Sequence, residues 1–288
     1  MPAEGGAEPP APLPVGRPSP TAEERGLPDT ADHLARMRAA APLVQNITNF
    51  VAMNVMANAM LAIGASPAMV HAEDEAAEFV PLAAALSINI GTPDARWAEA
   101  MCAAAAAARA AGRPWVLDPV AVGATRFRRD LGARLLAQAP TVIRGNASEI
   151  LALAGGTQAG RGADAADSVA AAEGAARDLA RRSGAVVAVT GPVDFVTDGA
   201  RAARVANGHP MMPRVTALGC ALTGVVAAFV AEADAFDATL AAIACYGIAG
   251  EMAGATAAGP GSFQVAFLDT LAALDPDEVR ARARIVAA

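Results

Sequence analysis

Short apolar runs alternate with longer Ala-rich segments along most of the chain, and this alternation restricts the fold more than any other feature. The apolar runs occupy residues 43–47, 66–70, 86–91, 114–119, 141–144 and 185–189. Runs of this length between helical segments are typical of parallel strands, because such strands are buried on both faces. The pattern therefore predicts an α/β fold in which helices cover both faces of a mostly parallel sheet.

The segments between the runs have the apolar spacing and the end signals of helices. Asp29 or Thr30 is the expected cap of the first helix, and Gly64 and Gly112 are expected to end two others. The predicted helices cover residues 29–41, 50–63, a stretch after 73–75, 96–111, 129–138, a stretch from 149, 165–182, 221–232, 236–257, 262–274 and a stretch from 276. The spacing also predicts a hairpin formed by two further short strands, residues 194–198 and 202–206.

Residues 1–28 differ from the rest of the chain because they are rich in Pro, Ala, Gly and Glu. They lack the basic start and the apolar stretch of a signal peptide, so we interpret them as a disordered extension. Residues 29–288 are long enough for a single domain, and a glycine-rich loop is predicted at residues 155–162. Charged residues and glycines interrupt the Ala-rich segments, so no apolar run is expected to reach transmembrane length.

The composition excludes several classes of function. No lysine occurs in the sequence, which excludes a Walker A motif and a pyridoxal Schiff base. The net charge is −7 and the sequence contains no basic block, which argues against nucleic acid as a partner. Local binding of ATP by an arginine and a helix N-terminus stays open. The three cysteines form no CxxC motif, so neither a disulfide framework nor a zinc site is expected, and a cytoplasmic location fits.

Candidate site residues stand at or near the ends of the predicted strands. They are Asn49, Met69 within the second strand, Asp118, Arg144, Thr190 and, before the C-terminal helices, Gly219 and Cys220. In an open parallel sheet the ligand lies beyond the carboxyl ends of the strands. We therefore expect these residues to share one active-site rim.

The segment from Val215 to Gly224 indicates an anion site. Gly219 precedes an apolar run with helical spacing, and the unpaired N–H groups of a helix start favour an anion such as a phosphoryl group. Cys220 lies where that positive field is expected to lower the pKa of the thiol. The alternative is that Cys220 is a small core residue, as most free cysteines are.

Eight segments of the sequence, taken together, resemble consecutive blocks of the hydroxyethylthiazole kinase family. The segments are residues 42–49, 64–69, 88–92, 117–125, 143–150, 189–191, 207–210 and 259–263. The resemblance runs in order from about Leu34 to the C-terminal helices. It implies a ribokinase-like three-layer α/β/α sandwich, a homotrimer with active sites between subunits, and a Mg²⁺ ion. The implied reaction is ATP-dependent phosphorylation of the hydroxyl of 4-methyl-5-(2-hydroxyethyl)thiazole, a step of thiamine salvage.

The resemblance also implies roles for single residues. Asn49 and Met69 match thiazole-site positions, and Arg144 and Thr190 match positions that contact ATP. The acidic positions near Mg²⁺ and the phosphates correspond to Asp118 and Glu149. Cys220 matches the position at which most of the wider superfamily has an aspartate base, and Ala217 and Gly219 belong to the segment that approaches the substrate.

Each role has a simpler structural alternative. Arg144 could form a surface ion pair rather than bind phosphate, and Glu149 could be an acid that stabilises a helix N-terminus. Thr190 could end a strand in a turn. The alternatives for Met69 and Asn49 are core packing and a helix cap.

Two departures from the family pattern lie near the expected substrate site. The family segment Gly-x-Gly-Cys reads Ala217-Leu218-Gly219-Cys220 here, and the added methyl group disfavours a positive φ at Ala217. The histidine that the family usually has after Pro-Leu-Val is replaced by Gln45. These changes keep two alternatives open: a kinase of a related alcohol such as a hydroxymethylpyrimidine, and a catalytically weak protein that binds the thiazole or a nucleotide. A nicotinamide dehydrogenase is disfavoured because no GxGxxG follows the first strand.

Overall fold

The computed structural model describes residues 27–155 and 165–288, with the side chains of residues 165–168 left out. Most of the predicted N-terminal extension and of the predicted glycine-rich loop lies outside these residues. Within the described part the strands form one sheet with the order β2-β1-β3-β4-β5-β6-β7-β8-β9. The strands are β1 (Leu43–Ile47), β2 (Ser66–Ala68), β3 (Ala85–Asn89), β4 (Trp115–Asp118), β5 (Val142–Asn146), β6 (Val186–Thr190), β7 (Asp194–Thr197), β8 (Ala202–Val205) and β9 (Ile285–Ala287).

The first six strands pair in parallel, as the sequence predicts, and the predicted β7–β8 hairpin extends the sheet in antiparallel fashion. β9 was not predicted, because three residues after an Arg-rich segment carry no strand pattern. It pairs antiparallel with β8.

Helices cover both faces of the sheet. They are α1 (Thr30–Ala40), α2 (Met53–Ile63), α3 (Ala76–Phe79), α4 (Ala95–Ala111), α5 (Arg126–Leu136), α6 (Ala147–Leu153), α7 (Ala165–Ser183), α8 (Leu218–Val230), α9 (Ala235–Thr256), α10 (Pro260–Ala273) and α11 (Pro276–Arg282). Asp29 caps α1, and Gly64 and Gly112 end α2 and α4 in the left-handed conformation, as predicted.

Alternation of side chains along the strands separates the two faces. In β4, Val116 packs into the core beneath α1, α2 and α8–α11, whereas Trp115 and Leu117 pack on the opposite side against α4 and α5. In β6, Val187 and Val189 likewise face α6 and α7. The predicted covering of both sheet faces is confirmed, and the molecule has three layers.

The start of α8 differs from the prediction. The helix begins at Leu218 rather than at Ala221, so Gly219 and Cys220 lie in its first turn. The preceding residue, Ala217, is the N-cap and adopts the left-handed conformation with φ of 66° and ψ of 0°. The turn that a glycine would favour is therefore made by an alanine.

The expectation about transmembrane length was wrong for one segment. Within the described residues, α9 is long and apolar enough to cross a membrane by length and composition, with a mean hydropathy of 1.3. In the fold, 78% of its most apolar window is buried, as in the core helix of a globular domain.

Candidate active site

A row of polar side chains runs across the carboxyl ends of neighbouring strands. Asn49, just after β1, donates from Nδ2 to Oδ1 of Asn89 at 2.8 Å. Asn89, at the end of β3, donates from Nδ2 to Oδ2 of Asp118 at 2.7 Å. Arg144 of β5 donates to the same carboxylate at 3.3 Å and, through its other terminal nitrogen, to Thr190 of β6 at 2.8 Å. Of the residues predicted to share a rim, Asn49, Asp118, Arg144 and Thr190 are thus joined by hydrogen bonds, Asn49 through Asn89.

Asp118 is the centre of this row, and its side chain is buried. Its Oδ2 also accepts a hydrogen bond from Thr223 of α8 at 2.7 Å, whereas the equally buried Oδ1 has no partner among the described residues. Burial raises the pKa of the carboxyl to about 6, although the neighbouring Arg144 acts to lower it. The arrangement leaves one carboxylate oxygen free for a ligand.

Arg144 is not a surface residue. Only 11% of its side chain is exposed in the ion pair with Asp118, so the alternative of a surface ion pair is wrong. Its guanidinium lies under the first turn of α8, since a Cβ added to Gly219 would be 3.4 Å from Nη2. A permanent cation therefore stands below the free N–H groups of a helix start, which concentrates positive potential there.

Cys220 is half-buried in the first turn of α8. Its Sγ lies 3.4 Å from Nδ2 of Asn49, so the thiol contacts the Asn49 end of the polar row. The expectation of a lowered pKa was wrong. Burial and the negative charge of Asp118 raise the pKa of the Cys220 thiol, although hydrogen bonds from Asn49 and Asn89 act in the opposite direction. The thiol form is thus favoured at neutral pH.

Asn49 combines its predicted role with the simpler alternative. Its Oδ1 accepts from the backbone N–H of Ala52 at 3.0 Å and thereby stabilises the turn before α2. Its Nδ2 hydrogens go to Asn89 and Cys220. The helix-start contact therefore fixes the direction of the amide that faces the thiol.

Glu149 has the contacts of the simpler alternative. It forms a capping box with Asn146 at the start of α6, and its Oε2 accepts from the Asn146 backbone N–H at 2.8 Å. Its Oε1 accepts from Ala121 N at 3.0 Å. Its negative charge still acts to raise the pKa of Asp118. Within the described residues no cluster of three or more His, Cys, Asp or Glu side chains could hold a metal ion.

Met69 and Gln45 lie beside the row rather than in it. Met69 follows the edge strand β2, is half-buried and packs against the core. Gln45 is fully buried and donates to the carbonyls of Val70 and Ala76 at 3.1 and 2.8 Å. Gln45 therefore anchors the loop after Met69, and the replacement of the family's histidine acts on loop position rather than on a direct contact within the row.

A cavity of about 860 Å³ opens at the start of α8, and its lining includes Gly219 but neither Cys220 nor Asn49. Arg144, Thr190 and Gly219 line its polar end, and Met212 and Ile243 line its apolar end. A polar anion-binding end joined to an apolar slot suits a nucleotide, whose phosphates and base need these two environments.

The apolar end of the cavity rests on α9 through closely packed glycines. A Cβ added to Gly247 would lie 2.6 Å from the carbonyl oxygen of Asn207, and one added to Gly250 would lie 2.5 Å from Sδ of Met212. Glu251 fastens the same loop by accepting the Gly208 N–H at 2.9 Å. The glycines of α9 therefore set the depth of the cavity.

Several residues of the site were not singled out by sequence reasoning. Asn89 joins Asn49 to Asp118, and its only signal was an amide at the end of an apolar strand. Thr223 is one polar residue in an apolar helix. Asp194 lines the cavity, accepts the Gly191 N–H at 2.9 Å, and has a pKa raised by burial to about 7.

Fold and site together define a class of protein. A three-layer α/β/α fold, with a nucleotide-sized cavity and a helix start above a buried Asp–Arg pair, is the architecture of a small-molecule kinase of the ribokinase-like type. A ribokinase-like superfamily protein from Enterococcus faecalis shares the fold, with a TM-score of 0.58 at 13% identity over 84% of this chain and 93% of that one.

The sequence comparisons identify the family. The hydroxyethylthiazole kinase family model matches residues 34–277. A hydroxyethylthiazole kinase of Cereibacter sphaeroides is 69% identical over 256 residues, which cover 89% of this chain and 98% of the relative. The solved structure of the hydroxyethylthiazole kinase from Pyrococcus horikoshii has a TM-score of 0.84 at 42% identity, covering 90% of this chain and 98% of that one. The chain belongs to the hydroxyethylthiazole kinase family, and it is therefore a kinase that phosphorylates a hydroxyethylthiazole.

Proposed function

We propose that ATP and the thiazole alcohol bind on opposite sides of the α8 start and react across it. One observation carries this assignment: consecutive residues face the two sides. Gly219 lines the nucleotide-sized cavity, and Cys220 contacts Asn49 at the end of the polar row. The γ-phosphate of ATP then lies at Gly219, Arg144 and Thr190, and the acceptor hydroxyl lies at Cys220.

The thiazole alcohol, 4-methyl-5-(2-hydroxyethyl)thiazole, is bound between Asn49 and Met69 in this proposal. Met69 offers a polarisable thioether to a flat sulfur heterocycle. The backbone at Ala217 and Gly219 approaches the hydroxyethyl end. The first turn of α8 supplies N–H donors for the oxygens of the transferring phosphoryl group.

Asp118 and Glu149 fit a Mg²⁺ ion bound together with the phosphates. The unpartnered Oδ1 of Asp118 is the supporting observation, and Mg²⁺ needs only one or two carboxylates when phosphates and waters complete its shell. The ion would neutralise charge on the phosphates. Glu149 would act through its charge or a water, since both its oxygens already accept backbone N–H groups.

Cys220 orients the acceptor hydroxyl in this proposal. Its raised pKa leaves few thiolates at neutral pH, so we do not assign Cys220 the role of a base. Phosphoryl transfer passes through a loose transition state, in which the attacking hydroxyl keeps its proton until late. A thiol held by Asn49 can accept the hydroxyl's hydrogen bond and fix the line of attack.

We further propose a cytoplasmic homotrimer that completes the thiazole sites between subunits and acts in thiamine salvage. Half-buried Met69 directly follows the edge strand β2, and Phe50 and Val51 beside Asn49 are 65% and 57% exposed. A neighbouring subunit would cover them. Neither nucleic acid nor a membrane is a partner in this proposal, consistent with the net charge of −7.

Separate binding measurements test the two-sided assignment. A non-hydrolysable ATP analogue and the thiazole alcohol are titrated separately by calorimetry into wild type, Thr190→Val and Asn49→Ala. We expect Thr190→Val to weaken only the nucleotide, by about tenfold, and Asn49→Ala to weaken only the thiazole by a similar factor. Equal losses of both ligands in either variant would overturn the assignment. Tighter binding of hydroxymethylpyrimidine than of the thiazole would overturn the choice of substrate.

A further inference from the structure

Arg128 connects two active-site loops and has no role in the account so far. It lies in the first turn of α5, and its half-buried guanidinium donates to three backbone carbonyls. Nη1 bonds to the oxygens of Ile90 and Val120, the latter at 2.9 Å, and Nη2 bonds to that of Gly91 at 2.7 Å. None of the ion pairs within the described residues includes Arg128.

The position of Arg128 is unfavourable for the helix that carries it. A cation in the first turn opposes the helix dipole. Thr125 caps the turn by accepting the Arg128 N–H at 3.2 Å. The neighbouring Arg129 is exposed and donates to the carbonyl of Gly123 at 3.0 Å. The dipole of α5 therefore does not favour a cation at position 128, whereas the three carbonyl contacts do.

The two loops held by Arg128 adjoin different parts of the polar row. Gly91 donates its N–H to Oδ1 of Asn89 at 2.9 Å, and a Cβ added to Gly91 would lie 2.6 Å from Nδ2 of Asn49. That loop belongs to the acceptor side, by which we mean the side of Asn49 and Cys220 where the thiazole alcohol is proposed to bind. Val120 comes two residues after Asp118, and the next N–H binds Glu149. This second loop belongs to the side of the carboxylates.

We propose that Arg128 is a positioning residue that fixes the acceptor-side loop against the carboxylate loop. The proposal rests on the two-sided site of the proposed function. A guanidinium presents its donors in a rigid planar fork, so three carbonyls bound to one fork hold a defined spacing. A misplacement of about 1 Å between reacting groups costs roughly 10²-fold in rate. The residues that line the nucleotide cavity come from neither loop, so we expect ATP binding to depend on Arg128 less than thiazole binding does.

Steady-state kinetics of Arg128→Ala test this role, with Arg129→Ala as the matched control in the same helical turn. We expect kcat/KM for the thiazole to fall by about 30- to 100-fold with a raised KM for the thiazole. The KM for ATP is expected to stay within twofold. Added guanidinium ion should restore about tenfold of the lost activity in Arg128→Ala only. Arg129→Ala is expected to behave like the wild type.

Three results would overturn the role of Arg128 while leaving the proposed function intact. They are equal losses in Arg128→Ala and Arg129→Ala, an unchanged KM for the thiazole, and a rise in KM for ATP alone. If Arg128→Ala does not fold, Arg128→Lys replaces it, because an ammonium group keeps the charge but not the fork. Wild-type kinetics in Arg128→Lys would then count against the proposal. Absence of thiazole-dependent turnover in the wild type would overturn both.

Discussion

The acceptor side and the nucleotide side of the site are held together by different means. On the acceptor side, Asn49, Asn89 and Asp118 hydrogen-bond to each other at the ends of adjacent strands. On the nucleotide side, the loop of residues 207–212 packs on the glycines of α9 and is hydrogen-bonded to the carboxylate of Glu251. The first arrangement fixes individual atoms, and the second fixes the volume of a cavity.

This difference determines how each side responds to substitution. Removal of one group from the acceptor side leaves a buried polar partner unsatisfied and displaces a reacting atom, so the chemical step is affected. A residue added beneath the nucleotide loop changes the width of the cavity, so binding is affected. The start of α8 is shared by both sides.

Asp118→Asn is expected to give the largest effect. The substitution keeps the size of the side chain but removes the charge and the free carboxylate oxygen, so kcat should fall by about 10³-fold. Thiazole-dependent release of ADP measures this loss. Asp130→Asn, an exposed change on α5, is the control, and a loss below tenfold in Asp118→Asn would contradict a central role for this carboxylate.

Gly250→Ala tests the nucleotide side. The new methyl group would meet the Met212 side chain, which we expect to move into the cavity and weaken an ATP analogue by about tenfold, or about 1.4 kcal/mol. Thiazole affinity should not change. Gly174→Ala in α7 is the matched control, because nothing lies within 4 Å of a Cβ added there. Recovery of nucleotide affinity in Gly250→Ala with Met212→Ala would confirm the mechanism, and equal affinities of both glycine variants would refute it.

Asp194→Asn tests whether the Asp194 carboxyl in the cavity wall is protonated in the folded protein, and the free energy of unfolding is the quantity measured. Burial raises the pKa of Asp194 to about 7, so the folded protein retains a proton that the unfolded chain loses above about pH 4. This carboxyl therefore makes the fold less stable as pH rises from 4 to 7. The asparagine keeps the acceptor for Gly191 N and cannot ionise.

We expect Asp194→Asn to increase the free energy of unfolding by about 1–3 kcal/mol at pH 8 and to leave it unchanged at pH 4.5. Urea unfolding at both pH values measures the difference. An equal effect at the two pH values would show that the carboxyl is not protonated in the fold.

Ala217→Gly is expected to have the smallest effect. A left-handed conformation costs an alanine about 1–2 kcal/mol, and the greater backbone freedom of glycine offsets part of the gain. The variant should be up to about 1 kcal/mol more stable by urea unfolding. Ala41→Gly, at another left-handed residue with φ of 43°, is the matched control away from the site. A gain in kcat for Ala217→Gly alone would show that the alanine also limits the reaction.

The sequence predicted the sheet and the acceptor side better than the nucleotide side. Strand ends in a parallel sheet must meet at one edge, so Asn49, Asp118 and Arg144 could be assigned to one rim without coordinates. Asn89 was missed because its role depends on its register opposite Asp118, which an apolar run does not specify.

Other features depended on the surroundings of single residues. The pKa of Cys220 was wrongly predicted because the burial of the thiol and the proximity of Asp118 arise only in the folded chain. Ala217 adopts a positive φ although alanine disfavours one, because the turn at the start of α8 requires it. The shape of the nucleotide cavity depends on contacts between α9 and a distant loop, and the spacing of Gly247, Gly250 and Gly254 gave no indication of that partner.

The most direct test of the account compares the chemical step and nucleotide binding in Cys220→Ala. The account places Cys220 on the acceptor side and its neighbour Gly219 on the nucleotide side. It therefore predicts that thiazole-dependent ADP formation falls by about 10²-fold, while the affinity for a non-hydrolysable ATP analogue stays within twofold. Unchanged turnover, or a loss of nucleotide affinity as large as the loss of turnover, would contradict the division of the site at the start of α8.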